Sequence, residues 1–209
     1  MSRITVDNKC RLCRAEGTKL YLKGDRCTSK CPLDRKGAVK PGMHGPKGGK
    51  KPTDYGIQLR AKQKAKRIYV IAETQFHNYY LQAKKLKGLV GNNLITLIEK
   101  RLDNLVFEGG LAPSRSSAKQ LVGHGHVSVN GKVVTVPSYS VKVGDTISVT
   151  SNSLQNLSAN FRLADKDFKS PSWLDVKKTD NTVKLISEPD PSESQNGIDV
   201  NLIIEYYSR

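Results

Sequence analysis

RLDNLVFEGGLAPSRSSAKQLVGHGHVSVNGKVV, Arg101 to Val134, carries two helix patterns and a hairpin in one short stretch. Leu102, Leu105 and Val106 continue an apolar stripe begun by Leu94, Leu97 and Ile98, with Asn93 as a candidate cap, and Gly109-Gly110 ends it. Pro113-Ser114 opens a shorter helix bearing Ala118, Leu121 and Val122, stopped by Gly123 and Gly125. Val127–Val129 and the run from Lys132 to Val136 then flank Asn130-Gly131. Both central residues of a type I′ turn need φ > 0, which Asn-Gly adopts with the least strain, so a hairpin is expected. Gly144-Asp145 turns the chain into an alternating strand, Thr146 to Thr150. A period near 3.6 followed by a period of 2 predicts a compact α+β module.

Outward from this module the pattern changes. Trp173–Lys177 and Thr182–Ile186 read as two strands around Asp180-Asn181, and Ile198 to Tyr207 as a final short helix behind a polar loop. Upstream, residues 53–90 read as one helical segment opened by Thr53 or Asp54. Ile68, Ile71, Ala72, Phe76, Tyr79, Tyr80 and Ala83 recur there at helical spacing, and Arg60, Lys62, Lys64, Lys66 and Arg67 precede them closely. Residues 35–52, RKGAVKPGMHGPKGGKKP, have almost nothing apolar to bury and are expected to form an extended basic arm.

Charge separates the chain into unequal parts. Residues 1–162 hold 29 basic and 10 acidic side chains, whereas residues 163–209 hold 6 and 9. With a formal charge of +16, self-repulsion calls for a polyanionic partner, and nucleic acid answers better than a membrane. No apolar run approaches the roughly 18–20 residues of a spanning helix, and Met1-Ser2-Arg3 opens no signal-peptide pattern. A cytoplasmic location is expected.

Cys10, Cys13, Cys27 and Cys31 form C-x2-C…x13…C-x3-C, with Gly17 and Gly24 available for tight turns in the loop between the pairs. Two close pairs let four thiolates converge on one cation, the pattern of a structural Zn2+ site, one ion per chain. An iron–sulfur cluster also uses four thiolates, free thiols remain open, and disulfides suit a cytosolic chain poorly. Lys9, Arg11, Arg14, Arg26 and Lys30 make the knuckle cationic. Catalytic patterns are missing: there is no P-loop, nucleophile elbow or HExxH, and His124 and His126 have no evident nucleophile or metal beside them. Contact with RNA sugar or phosphate is their expected role.

Arg101 to Val134 resembles the S-four RNA-binding domain. Cysteines ahead of PGMHG, then DYGIQLRAKQKAKRIY (Asp54 to Tyr69), PSYSVKVGDTISV (Pro137 to Val149), SWL (Ser172 to Leu174) and the closing EYYSR resemble, in order, the bacterial-type family of small-subunit ribosomal protein S four. Glu108, Ser116 and Ser117 depart from the family, which commonly has a basic residue near the first, as does Met43 where glutamine is common. Beside the zinc knuckle (1–34), which rests on the four cysteines present, and the basic arm (35–52), the resemblance implies a helical domain (53–92 plus 197–209) and an inserted domain (93–196) with the S-four module at about 99–162. It also implies a structural, non-enzymatic constituent of the small subunit that binds 16S rRNA first, nucleates the 30S body and influences decoding accuracy. The implied partners are a 16S rRNA multi-helix junction, proteins S five and S twelve, and messenger RNA (mRNA) where it enters. Neither a membrane nor a small-molecule substrate is implied.

Affinity is expected from Lys and Arg on phosphates, and specificity from the shape of a folded junction and its 2′-hydroxyls. On one side the candidate contacts are Arg11, Arg14, Arg35, Lys36, Lys47, Lys50, Lys51, Arg60, Lys62, Lys64 and Arg67; on the other, Arg101, Arg115, Lys119, His124, His126, Asn130 and Lys132. A non-ribosomal S-four-domain RNA binder, an RNA-modifying enzyme and a zinc-knuckle DNA regulator are the rival readings. About 60 residues after the module are too few for a catalytic domain.

Overall fold

The computed structural model describes residues 8–47, 51–150, 168–177, 180–193 and 197–209. The chain divides into two compact units, Met1–Lys85 with Gln195–Arg209, and Leu86–Ser194.

In the second unit, α6 (Val90–Glu99), α7 (Leu102–Glu108) and α8 (Arg115–Gly123) accompany an antiparallel sheet of β1 (Val127–Val129), β2 (Lys132–Val133), β3 (Thr146–Val149), β4 (Leu174–Lys177) and β5 (Thr182–Leu185). Its strand order is β2-β1-β3-β5-β4. The register aligns Val129, Ile147, Val183 and Val176 in one row across β1, β3, β5 and β4. That row joins Leu102, Leu105, Ala118, Val122 and Trp173 in the core. Asn130 and Gly131 take φ of 50° and 79°, the left-handed pair that a type I′ turn requires. Ser114 caps α8 by accepting from the Ser117 N–H, as the sequence indicates.

Two expectations are corrected here. The apolar stripe from Leu94 to Val106 is two helices, and Asn93 lies inside the first, its side chain reaching back to the Leu86 and Lys87 carbonyls. Arg101 is extended, and its neighbours bond to the segment that follows the hairpin: Leu102 N–H to the Tyr139 carbonyl at 2.9 Å, Asp103 N–H to Pro137 at 3.2 Å, and Val141 N–H to Lys100 at 2.9 Å. The same pairing explains why β2 stops at Val133 instead of continuing to Val136. Residues 137–141 pair with the α6–α7 junction, so tertiary hydrogen bonds override the local periodicity.

In the first unit, α1 (Lys9–Glu16), α2 (Arg26–Ser29), α3 (Pro32–Lys36) and a 3-10 turn at Gly45–Lys47 precede α4 (Asp54–Ile68) and α5 (Glu73–Lys85). The expected single helix over 53–90 is therefore broken. Val70 adopts φ 54°, the Val70 N–H reaches the Arg67 carbonyl, and the Ile71 N–H reaches Lys66. These are the two bonds of a Schellman helix end, built on valine where glycine is usual. Burial of Tyr69, Val70 and Ile71 offsets the strain of roughly 1–2 kcal/mol. The final helix, α9 (Val200–Ser208), is capped by the Asp199 carboxylate and packs on α4. Ile203 is fully buried, and Gln58 Nε2 donates to Glu205 at 2.9 Å.

Candidate nucleic-acid interface

Several acids are tied up by the basic residues around them, while Asp25, Asp34 and Asp54 of the first unit are exposed, Asp34 pairing with Lys19 at 2.6 Å. In the first unit the Glu16 side chain is only 3% exposed and pairs with Arg60 and Arg67, which holds α1 against α4. Glu73 accepts from Lys62 at 2.6 Å, Lys66 at 3.0 Å and the Tyr207 hydroxyl at 2.9 Å. Burial alone would raise the Glu73 carboxyl, but these three hydrogen bonds override it and bring its pKa down to about 2. Burial, and then the bond to Glu73, push the Tyr207 hydroxyl upward. The Lys62 ammonium also lies over the Tyr206 ring at 4.4 Å.

This arrangement sorts the expected contact residues of the first unit. Arg11, Arg35, Lys47 and Lys51 are exposed, and Arg60 is 45% exposed although paired. Arg14 is half-buried, with Nε donating to the Val39 carbonyl at 2.9 Å and so tying the arm to the knuckle. Lys64 reaches the Gly197 carbonyl at 2.6 Å. Lys62 is 4% exposed and lies inside, a correction whose cause is its pairing with Glu73. Lys36 belongs to α3, and Lys50 lies outside the described residues. In the arm, Gly45 lies so close to Lys40 that a Cβ would meet the Lys40 carbonyl oxygen at 1.8 Å, so this turn admits glycine only.

The second unit departs further from expectation. Arg101 is 2% exposed and grips Asp103 with two bonds, Nε to Oδ1 at 2.9 Å and a terminal nitrogen to Oδ2 at 2.5 Å. Arg115 is 8% exposed, donating to Asn104 at 2.8 Å and Glu108 at 2.5 Å, with its guanidinium 4.4 Å from the Phe107 ring. The Asn104 amide reaches Glu99. Both arginines therefore brace the α6–α7–α8 corner from within, buried and paired with their own unit's side chains. Burial lowers the Lys119 ammonium, with Asp103 acting the other way and Arg101 reinforcing the drop. Asn130 serves the turn: its amide donates to Asp145 at 2.8 Å and its oxygen accepts the Thr146 N–H at 2.9 Å. Lys132 and His124 are exposed and His126 is half-buried. Ser117, Gln120, Leu121, His124 and His126 line one cavity of about 140 Å³.

Cys13, Cys27 and Cys31 are buried, Cys10 is half-buried, and none forms a disulfide. The Cys27 sulfur accepts the Lys23 N–H at 3.3 Å. Burial raises the Cys13 thiol most; a backbone bond from Leu20 opposes this, and Cys27, Cys10 and Cys31 add to it as neighbouring charges. Four soft thiol donors in one knuckle fit a zinc-type ion by chemistry. Among the described residues, no group of three or more His, Cys, Asp or Glu side chains is already spaced to hold a metal.

The residues missed in sequence were the partners. Glu16 meets Arg60 and Arg67 across 44 and 51 positions, a pairing with no local signature. Ser117, Gln120, Leu121 and His124, by contrast, stand at i, i+3, i+4 and i+7, a spacing visible in the sequence.

Together, the helical unit and the hairpin module define an α+β protein with an S4 domain: that domain's model matches residues 100–147, and the Ribosomal protein S4/S9 N-terminal domain matches residues 6–99. The chain is 50% identical over 201 residues to Small ribosomal subunit protein uS4 of Desulfitobacterium hafniense (strain Y51), covering 96% of each. It is 47% identical over 215 residues to the uS4 of Desulforamulus reducens, covering 100% of each, and 46% identical to that of Natranaerobius thermophilus, covering 96%. The chain belongs to the uS4 family.

Proposed function

We propose that this chain is a structural, non-enzymatic constituent of the small ribosomal subunit that binds 16S rRNA. The observation that carries the reading is that five acids are already paired within the fold while several basic residues stay exposed. Glu16, Glu73, Glu99, Asp103 and Glu108 are all engaged by basic or amide side chains of their own unit, while Arg11, Arg35, Lys47, Lys51 and Lys132 face outward. An excess left on the surface in this way suits a polyphosphate backbone, and family membership identifies which one. No helix among the described residues is long and apolar enough to cross a membrane. The chain acts in the cytoplasm as part of the ribosome. It binds a multi-helix junction early, nucleates the 30S body, bears on decoding accuracy, and adjoins proteins S five and S twelve and the incoming mRNA.

The knuckle holds one structural Zn2+ through Cys10, Cys13, Cys27 and Cys31. The support is the four-thiol donor set, its burial and the lack of disulfides. Four protein ligands leave no open position, so the ion supplies cross-linking of the knuckle and no catalysis.

Filter binding to full-length 16S rRNA across a salt series tests the main reading. The expected result is tight binding whose logarithm falls linearly with log salt, with a slope of several units. Co-sedimentation with 30S particles should survive high salt. Absence of binding at low salt refutes the reading.

A further inference from the structure

We infer that the cavity between α8 and the turn into β1 is a seat for one unstacked RNA base, distinct from the phosphate contacts around it. The inference rests on the RNA-binding reading above and specifies what this part of the surface takes. The cavity, about 140 Å³, is lined by Ser117, Gln120, Leu121, His124 and His126. Ser117, Gln120 and Leu121 lie on one stripe of α8, His124 follows as its C-cap, and His126 is added by the turn. Gly125 makes that possible: at φ 76° it reverses the chain so that the two imidazoles come within 5° of parallel, centroids 6.1 Å apart. Backbone bonds fix the turn, His124 N–H to Gln120 at 3.0 Å, His126 N–H to Leu121 at 3.1 Å, and Thr150 N–H to the His126 carbonyl at 3.0 Å.

The chemistry of the lining selects the ligand. None of the five residues carries a fixed positive charge, on a chain whose basic residues far outnumber its acids. A phosphate seat would be expected to use lysine or arginine, as the exposed basic residues elsewhere do. Instead the cavity offers two aromatic faces, a leucine, and the directional donors and acceptors of Gln120 and Ser117. Aromatic faces with hydrogen-bonding side chains at the edge are how proteins take unstacked bases from single-stranded loops and bulges. The volume, well below the roughly 300 Å³ at which pockets for drug-sized ligands begin, matches a single planar ring system.

The test uses the full chain and full-length 16S rRNA, with three pairs of substitutions. The pair His124→Ala and His126→Ala should weaken binding about tenfold or more, as loss of one stacked base does, with the salt slope unchanged. The pair His124→Phe and His126→Phe should restore most of the affinity, whereas His124→Lys with His126→Lys should not. Dimethyl sulfate probing of the complexes should show one unpaired base protected by the wild type and reactive with the alanine pair. Matching denaturation midpoints establish that the variants are folded, which the exposure of His124 favours. Restoration by lysine but not phenylalanine, with a steeper salt slope, overturns the base seat and leaves RNA binding intact. Unchanged affinity and protection in the alanine pair overturn it as well. A wild-type chain that does not bind the RNA overturns both readings.

Discussion

Replacing Arg101 by alanine separates the two roles that a conspicuous arginine can have in a nucleic-acid-binding protein. As a phosphate contact it would contribute affinity; as a buried brace it contributes stability. Arg101 is 2% exposed, the Asp103 side chain is 5% exposed, and the pair is joined by two hydrogen bonds of 2.9 and 2.5 Å. Removing one partner of such a pair leaves a buried charge uncompensated, at about 3–5 kcal/mol. Lys119 lies near enough to feel both groups electrostatically and can partly answer Asp103, so the lower end, about 3 kcal/mol, is expected. At roughly 4 °C per kcal/mol for a unit of about 109 residues, the second unit should melt about 12 °C lower in calorimetry. Its RNA affinity below that transition should keep the same salt slope. Arg101→Met combined with Asp103→Leu should recover most of the loss, because two apolar groups replace a pair that costs much to desolvate. A melting temperature lowered by less than about 2 °C, with a salt slope reduced by about one, refutes this placement and returns Arg101 to the RNA surface.

Two further outcomes follow from the first unit. Glu73 has a folded pKa of about 2 against an ordinary value of 4.5, so its contribution is complete above about 4.5 and is lost as pH falls toward 2; acid titration of Glu73→Gln should show a smaller loss across that window than the wild type. Equal acid sensitivity of the two proteins refutes the Lys62–Lys66–Glu73–Tyr207 cluster. For the knuckle, metal analysis of the native chain should find one zinc equivalent, released in Cys10→Ser, while a native mass without bound metal refutes the site.

Much of the architecture was legible because its determinants are local. Asn130-Gly131 specified the hairpin through the φ values its turn requires, Ser114 specified a helix start through a short side chain that caps a nearby N–H group, and the valines and isoleucine of β1, β3 and β5 specified which face is buried. The charge asymmetry, and with it a polyanionic partner, was likewise present in composition alone.

What tertiary structure decided is where local pattern competes with distant partners. The helix through Lys100–Arg101 breaks because residues 137–141 supply better-placed hydrogen bonds, and the helix after Ile68 breaks because burial of Tyr69, Val70 and Ile71 offsets a left-handed valine. The same holds for charge. A lysine or arginine looks alike in sequence whether it faces water or a carboxylate many residues away, so Lys62, Arg101 and Arg115 read as contacts until Glu73, Asp103 and Glu108 were found against them. Sequence determined how much positive charge this protein carries. Only the fold, by burying some cations with their partners and leaving others in water, decided which of them an RNA backbone can meet.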